Sequence, residues 1–419
     1  MKRPRIFYGW FILAIAFLTA TIGYSMRYSF SVFYPEILDE FGWTRAETAL
    51  AYSLNLVVYG ISSPIIGTLV DKLGPKRVLS VGACLMGAGL LAVSQMNSIW
   101  LFYFLFGVVM AFGVNSLGYA THNAYLPNWF VLRRGVAFGL LSAATGASFI
   151  VVSFYQYLIS NLGWRATYMV LAGIVMVIVI PLASLFIRRT PEEVEVAPDG
   201  YTSTTEAHRA VIVNKEWAST DWTLRKALGT YQLWFMFLVF MCYSISFNLV
   251  VVHQPIHCED IGFSAMFAAS IFGLAGFTTI VGNLGSLISD RIGRERTFTL
   301  GTLGMIIGVC ALMVVTTSQV WLVYIYAVFF GISVGRITPV SFSSGADLFA
   351  GKHFGAINGF ILLGFGVGGA LGPWFGGYIF DVAGNYTLAF ITTNVIIAAS
   401  CAFVWLAAPR RVRLIGKHK

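Results

Sequence analysis

Twelve times along this 419-residue chain, an apolar run long enough to cross the ~30 Å hydrocarbon core of a bilayer ends at a polar break. The runs lie at 8–34, 47–70, 78–96, 99–127, 135–160, 166–187, 230–256, 265–288, 297–317, 319–347, 354–380 and 385–407. A chain of this size in water needs polar side chains over most of its exterior. Here 58% of residues are hydrophobic and only 11% charged, with mean hydropathy +0.78, so the outer solvent is lipid. The opening MKRPRIFYGWFILAIAFL resembles a signal peptide but lacks a small-residue cleavage site, and it is read as a retained first helix. The five cysteines are scattered without metal-ligand or redox spacing and read as small core residues.

Twelve spans put both termini on one side of the membrane. Of the 27 lysines and arginines, all but four fall in segments then assigned to the cytoplasm. Arg45 and Arg165 fall opposite; Arg27 and Arg336 lie inside apolar runs. This asymmetry follows the positive-inside rule and predicts a bacterial-type inner membrane with cytoplasmic termini. It also accounts for the net charge of +9 without nucleic acid. Residues 188–229 are polar and mixed in charge. They read as a cytoplasmic linker whose last part, Asp221 to Leu228, is expected to form a short surface helix. The expected domains are a six-helix bundle at 1–187, the linker at 188–229, a second six-helix bundle at 230–408 and a basic tail at 409–419.

The halves resemble each other at an offset of roughly 220 residues. Asp39-Glu40-Phe41-Gly42-Trp43 meets Glu259-Asp260-Ile261-Gly262-Phe263, and Gly135-Val-Ala-Phe-Gly139 meets Gly355-Ala-Ile-Asn-Gly359. Small residues recur every fourth position at Gly135, Gly139, Ala143, Ala147 and at Gly364, Gly368, Gly372, Gly376. That spacing sets them on one helix face for close packing, with a sliding contact between halves as a further use. The fold class expected is an all-α membrane protein of twelve transmembrane helices in two pseudo-symmetric bundles. In such duplicated architectures the site lies between the halves near the bilayer midplane.

The loop Gly67-Thr-Leu-Val-Asp71-Lys72-Leu-Gly74-Pro-Lys76-Arg77, with its degenerate copy Ser286-Leu-Ile-Ser-Asp290-Arg291-Ile-Gly293-Arg294-Glu-Arg296, resembles the loop between the second and third helices of the major facilitator superfamily. The resemblance implies a conformational latch: Asp71 and Asp290 take hydrogen bonds from a neighbouring helix end or arginine, while Lys72, Arg77 and Arg291 face anionic lipid. The alternative is a loop that only fixes topology. Asn128-Trp129-Phe130-Val-Leu-Arg133-Arg134-Gly-Val-Ala137-Phe-Gly139, with Tyr8-Gly9-Trp10 and Glu40-Phe41-Gly42-Trp43-Thr44-Arg45, is similar to the monocarboxylate transporter family and its bacterial oxalate/formate antiporter-like members. The chain departs from them too. Many relatives carry an Asp and an Arg in the eighth helix, where Ala268 to Ser289 has no charge. The exchanger's eleventh-helix Lys is missing between Gly355 and Tyr378, and the first-helix Lys of animal members aligns with Tyr28, one residue from Arg27.

An ionised Arg in mid-membrane costs roughly 2.5–3.5 kcal/mol on insertion scales, so Arg27 and Arg336 are expected to face a cavity or a partner. No carboxylate lies in the middle of any run: Asp347 and Asp381 are near span ends, and Glu36 is expected just beyond one. The substrate is then the expected counter-anion, because a guanidinium holds a carboxylate bidentately. The alternative is snorkelling or a bond to backbone carbonyls. Asn115, Tyr119, His122 and Asn123 form one stripe on the fourth span, and Gly23, Tyr24, Arg27 and Ser31 another on the first. Tyr24, Asn115, Tyr119, Asn248 and Ser333 are candidates for shaping the anion site, with interhelical hydrogen bonding as the alternative. His122 and His253 are candidates for proton coupling.

The function expected is alternating-access transport of a small mono- or dicarboxylate, as proton symporter or anion exchanger, by a monomer in a bilayer with anionic lipid. The alternatives are transport of organophosphates or amphipathic drugs, or a non-transporting sensor of the same fold. No nucleotide loop, catalytic triad or metal-ligand cluster is evident, so neither an enzyme nor a cofactor is expected.

Overall fold

The structure is a computed structural model describing residues 7–130, 134–196, 211–212, 214–285, 289–349 and 354–414. Twelve helices in it are long and apolar enough to cross a membrane: α1 (Tyr8–Phe41), α2 (Arg45–Val70), α3 (Pro75–Val93), α4 (Ile99–Leu126), α5 (Ala137–Leu162), α6 (Trp164–Phe186), α7 (Tyr231–Ile261), α8 (Ala265–Gly285), α9 (Arg294–Met313), α10 (Trp321–Phe349), α11 (Ala356–Ala383) and α12 (Thr387–Arg411). They form two six-helix bundles.

One boundary differs. The first helix runs to Phe41 rather than ending at residue 34, so Glu36 lies inside it and Arg27 just past its midpoint. Hydropathy falls over Glu36, Asp39 and Glu40, but tertiary partners hold the last turns. Glu40 accepts from the Trp164 indole at 2.6 Å and from Arg165 Nη2 at 2.6 Å, and Gly42 at φ +65° ends the helix in the left-handed region.

The glycine stripe of α11 also departs from expectation. A Cβ at Gly364, Gly368 or Gly372 would stand 2.4, 2.1 or 2.5 Å from the carbonyl oxygens of Phe237, Met241 and Ile245, all on α7. The stripe therefore packs α11 onto α7 inside one bundle and is no sliding surface between bundles. The bundles instead meet through α2 against α11, α5 against α8 and α1 against α7. At the α5–α8 crossing, Gly146 and Gly276 lie so close that a Cβ on either would come within 2.6 or 2.4 Å of the other's carbonyl oxygen.

The ends of the chain share one face. Tyr8 Oη donates to the Phe186 carbonyl at 2.9 Å, and Val211 pairs with Leu414 in a two-residue antiparallel ladder joining linker to tail. The linker's helix covers Leu224–Leu228, shorter than the Asp221–Leu228 expected, and it is docked instead of lying free on the surface. Trp222 and Ala227 are buried against the ends of α7, α10 and α11, and the Trp217 indole donates to the Leu348 carbonyl at 2.7 Å. Below, this is the termini-bearing face and its opposite the far face.

Candidate functional site

Arg27 is held in a cage of phenol rings. Its guanidinium carbon stands 5.1, 5.1 and 4.9 Å from the ring centres of Tyr24, Tyr28 and Tyr59, and the residue is only 5% exposed. Nη2 makes one long contact, 3.4 Å to Tyr28 Oη, while Nε and Nη1 are buried with no hydrogen-bond partner. Ring faces soften the desolvation of the cation, but they do not satisfy its N–H groups. Among the described residues no carboxylate pairs with it.

The cage sits beside a break in α4. Residues Tyr103–Val109 form a π-helical turn, and at Gly118 (φ −98°, ψ −159°) the helix opens. Non-helical backbone at membrane depth needs its polar groups satisfied by protein. The freed Tyr119 N–H donates to Tyr24 Oη at 3.0 Å, and the His122 ring donates from Nε2 to the Leu117 carbonyl at 2.9 Å. A Cβ at Gly118 would stand 2.9 Å from the Val114 carbonyl oxygen and 3.0 Å from Tyr24 Oη, so glycine is needed here. Tyr24, Tyr119 and Arg27 are thus brought together, with the Tyr24 and Tyr119 rings 5.0 Å apart and Tyr119 Oη 3.0 Å from Thr145 Oγ1.

The other polar candidates are placed differently. The Asn115 amide is used within its own bundle, donating to the Tyr59 carbonyl at 2.9 Å, Ser62 Oγ at 2.8 Å and Ser63 Oγ at 3.0 Å. Asn248 bridges the bundles: its Oδ1 accepts from Tyr52 Oη on α2 at 3.2 Å while its Nδ2 returns to Ser244. Ser333 faces α9, where a Cβ on Gly304 would come within 2.5 Å of its Oγ. Arg336 lies just past the midpoint of α10, its guanidinium beside Gly285 at the end of α8, with Nε buried and unpartnered. Between Arg27 and α10 runs a ladder of rings, Tyr28 to Phe247 at 6.4 Å and Phe247 to Phe330 at 6.4 Å.

Both candidate histidines have complete sets of partners. His122 Nδ1 takes the Tyr125 hydroxyl at 3.0 Å, opposite its carbonyl bond. His253 Nε2 donates to the Pro373 carbonyl at 2.8 Å and Nδ1 takes the Tyr386 hydroxyl at 2.9 Å. Because a carbonyl only accepts, Nε2 carries a proton in each ring, and a ring in its neutral form is the Nε2–H tautomer with the tyrosine hydroxyl donating to Nδ1.

At the far face an ionic clasp closes the two bundles. Arg45 Nη1 and Nη2 donate to the two carboxylate oxygens of Asp260, both at 2.7 Å. Nη1 also reaches Tyr386 Oη at 2.8 Å, and the guanidinium lies 3.6 Å from the centre of the Phe380 ring. Asp381 accepts the backbone N–H groups of Arg45 and Ala46 at 3.0 and 2.8 Å, capping the N-terminus of α2 from the opposite bundle. A cavity of about 410 Å³ lies over the clasp, bordered by Asp39 and Glu259 as well. Sequence reading placed Arg45 in an outer loop and Asp381 at a span end without joining them. The echo of Asp39-Glu40 in Glu259-Asp260 marks the helix ends beside the clasp.

The sequence pattern described as Major Facilitator Superfamily matches residues 13–288 and 284–418. The chain belongs to the major facilitator superfamily. Its members are transporters rather than enzymes, so its ligand is a small molecule. Monocarboxylate transporter 13 of Rattus norvegicus is 27% identical over 402 residues, covering 94% of this chain and 87% of the relative. Monocarboxylate transporter 2 of Homo sapiens is 23% identical, covering 98% and 88%, and the MFS-type transporter YcxA of Bacillus subtilis (strain 168) is 23% identical, covering 97% and 94%. A bacterial homolog of the human lysosomal transporter Spinster, solved inward-facing and occupied, superposes with TM-score 0.71 at 14% identity over 97% of this chain and 98% of that one.

For this facilitator, the superfamily loop leaves part of the latch outside the described residues: the side chains of Asp71, Asp290 and Arg291 are not described. Lys72 and Arg77 are exposed on either side of Gly74, whose φ of +80° turns α2 into α3. In the second copy, Arg294 Nε donates to Asp347 at 3.0 Å, tying the start of α9 to the end of α10.

Proposed function

We propose that this facilitator carries a small organic anion, a mono- or dicarboxylate, across a cell inner membrane by alternating access. One observation carries the reading: Arg27 is a cation buried at mid-depth with two guanidinium nitrogens unpaired. An ion in that state is costly unless a ligand completes it, and a carboxylate completes a guanidinium with two parallel bonds. In this reading Tyr24, Tyr28 and Tyr59 exclude water and orient the fork, while Tyr119 borders the anion. Arg336, with its buried unpartnered Nε, is the complementary cation from the other bundle. Asn115 supports the α2–α4 contact, and Asn248 reports across the bundles through Tyr52. The relatives named monocarboxylate transporters support an anion, and the basic residues of the linker and loops support cytoplasmic termini.

Purified protein in liposomes, offered labelled lactate, pyruvate, oxalate and formate, tests this. Uptake of at least one is expected, falling at least tenfold in Arg27→Ala and less in Arg27→Lys. Acceleration by an inward proton gradient assigns symport; acceleration by anion loaded inside assigns exchange. Competition by phosphate esters but by none of the carboxylates, or undiminished uptake in Arg27→Ala, refutes the carboxylate assignment.

A further inference from the structure

Three charged residues open α9, and only two of them are spent. Arg294 is tied to Asp347 at 3.0 Å. Glu295, 4% exposed, accepts the Arg410 backbone N–H at 3.0 Å and its guanidinium at 3.3 Å. Arg296 is exposed and, among the described residues, has no hydrogen bond or ion pair. It stands at the head of a groove of about 360 Å³ between α9 and α12, bordered by Ile292, Thr299, Leu300 and Trp405. The groove is built: the Trp405 indole is fixed by donation to Thr299 Oγ1 at 2.9 Å, and the Arg410 guanidinium lies 4.5 Å from its ring centre.

Below Arg296, the outer face of α9 continues through Leu300, Leu303 and Ile307, each about half-exposed. Eleven residues at 1.5 Å each make about 16 Å, roughly half of a ~30 Å hydrocarbon core. A cation unpaired among the described residues thus heads an apolar track as long as one leaflet, with Trp405 at its upper edge where interfacial aromatics reside.

The geometry points to a binding site for one anionic phospholipid in the leaflet of the termini-bearing face, its phosphate on Arg296 and an acyl chain along Leu300, Leu303 and Ile307. A free phosphate does not suit the place, because apart from Arg296 the groove offers almost nothing polar. A zwitterionic lipid fills the same track, but its ammonium group offsets the attraction. The second cation, Arg410, adds positive potential although Glu295 shares its charge.

Native mass spectrometry of the full chain in detergent, with equal amounts of phosphatidylglycerol and phosphatidylcholine bearing the same acyl chains, tests the site. A preference of about fivefold for phosphatidylglycerol is expected, from one arginine near a lipid surface. Arg296→Gln removes the preference, Arg296→Lys keeps most of it, and Arg225→Gln, an exposed linker change, leaves it intact. Leu300→Ser weakens retention of both lipids without touching the charge, so a misfolded Arg296 variant does not end the test. Equal retention of the two lipids by the unaltered protein, an unchanged preference in Arg296→Gln, or displacement by excess inorganic phosphate overturns the assignment.

Discussion

Replacing Asp260 by Asn should loosen the far face by a predictable amount. The Arg45–Asp260 pair is bidentate, with both bonds at 2.7 Å and side chains 14% and 31% exposed. Fully exposed pairs contribute about 0.2–1 kcal/mol, and hydrogen bonds to charged groups withdrawn from water about 1.5–3 kcal/mol. Partial exposure places this pair at about 1–2 kcal/mol, or about a 5- to 30-fold rise in the fraction of molecules open at that face. Asn preserves the shape and one acceptor, so the change reports charge rather than packing. Leu56, 2% exposed and packed at the α2–α11 seam beside Gly369, is a suitable reporter. In a background with the five native cysteines replaced, Leu56→Cys should react slowly with a membrane-impermeant maleimide supplied at the far face. Asp260→Asn should speed that reaction by the same 5- to 30-fold, because labelling slower than opening tracks the open population. Arg45→Ala should speed it further, since the Tyr386 bond and the Phe380 contact are lost too. A rate within twofold of the parent for both variants would show that the clasp does not hold the bundles closed.

Gly118→Ala should cut carboxylate uptake sharply while leaving the protein folded, since the added methyl group displaces Tyr24 Oη, 3.0 Å away, and with it one wall around Arg27; uptake equal to the parent would disconnect the α4 break from the site. His122→Ala leaves the Leu117 carbonyl and the Tyr125 hydroxyl without their partner, at about 1–3 kcal/mol for each buried group. A lower melting temperature with an unchanged pH profile of uptake is expected; an unchanged melting temperature with a shifted profile would put the ring in a proton path.

The fold was legible because lipid imposes one rule on every span, and apolar length alone reports it. Arg27 was legible for the same reason, as a charge standing where none is tolerated without cause. Its surroundings were not: Tyr59 comes from another helix, and the donation of Tyr119 N–H to Tyr24 follows from a backbone break that hydropathy does not register. Asn115 stayed ambiguous between anion site and interhelical bond because spacing gives only a helix face, and that face also meets Ser62 and Ser63. The clasp was hidden by distance along the chain, with Arg45 and Asp260 215 residues apart in different bundles. The true end of α1 depended on Trp164 and Arg165, which a local reading of Glu40 omits.

The start of α2 divides its amide donors between two owners. Thr44 and Glu47 form a reciprocal cap within the helix itself, while the Arg45 and Ala46 amides are handed to Asp381 across the seam. When the bundles separate, water takes over the two surrendered amides, and the first turn keeps its own fastening. If the bundles part at this face, the socket for Asp381 is already wound by its own cap, so re-engagement would be a docking event between finished surfaces, with no folding step to slow it.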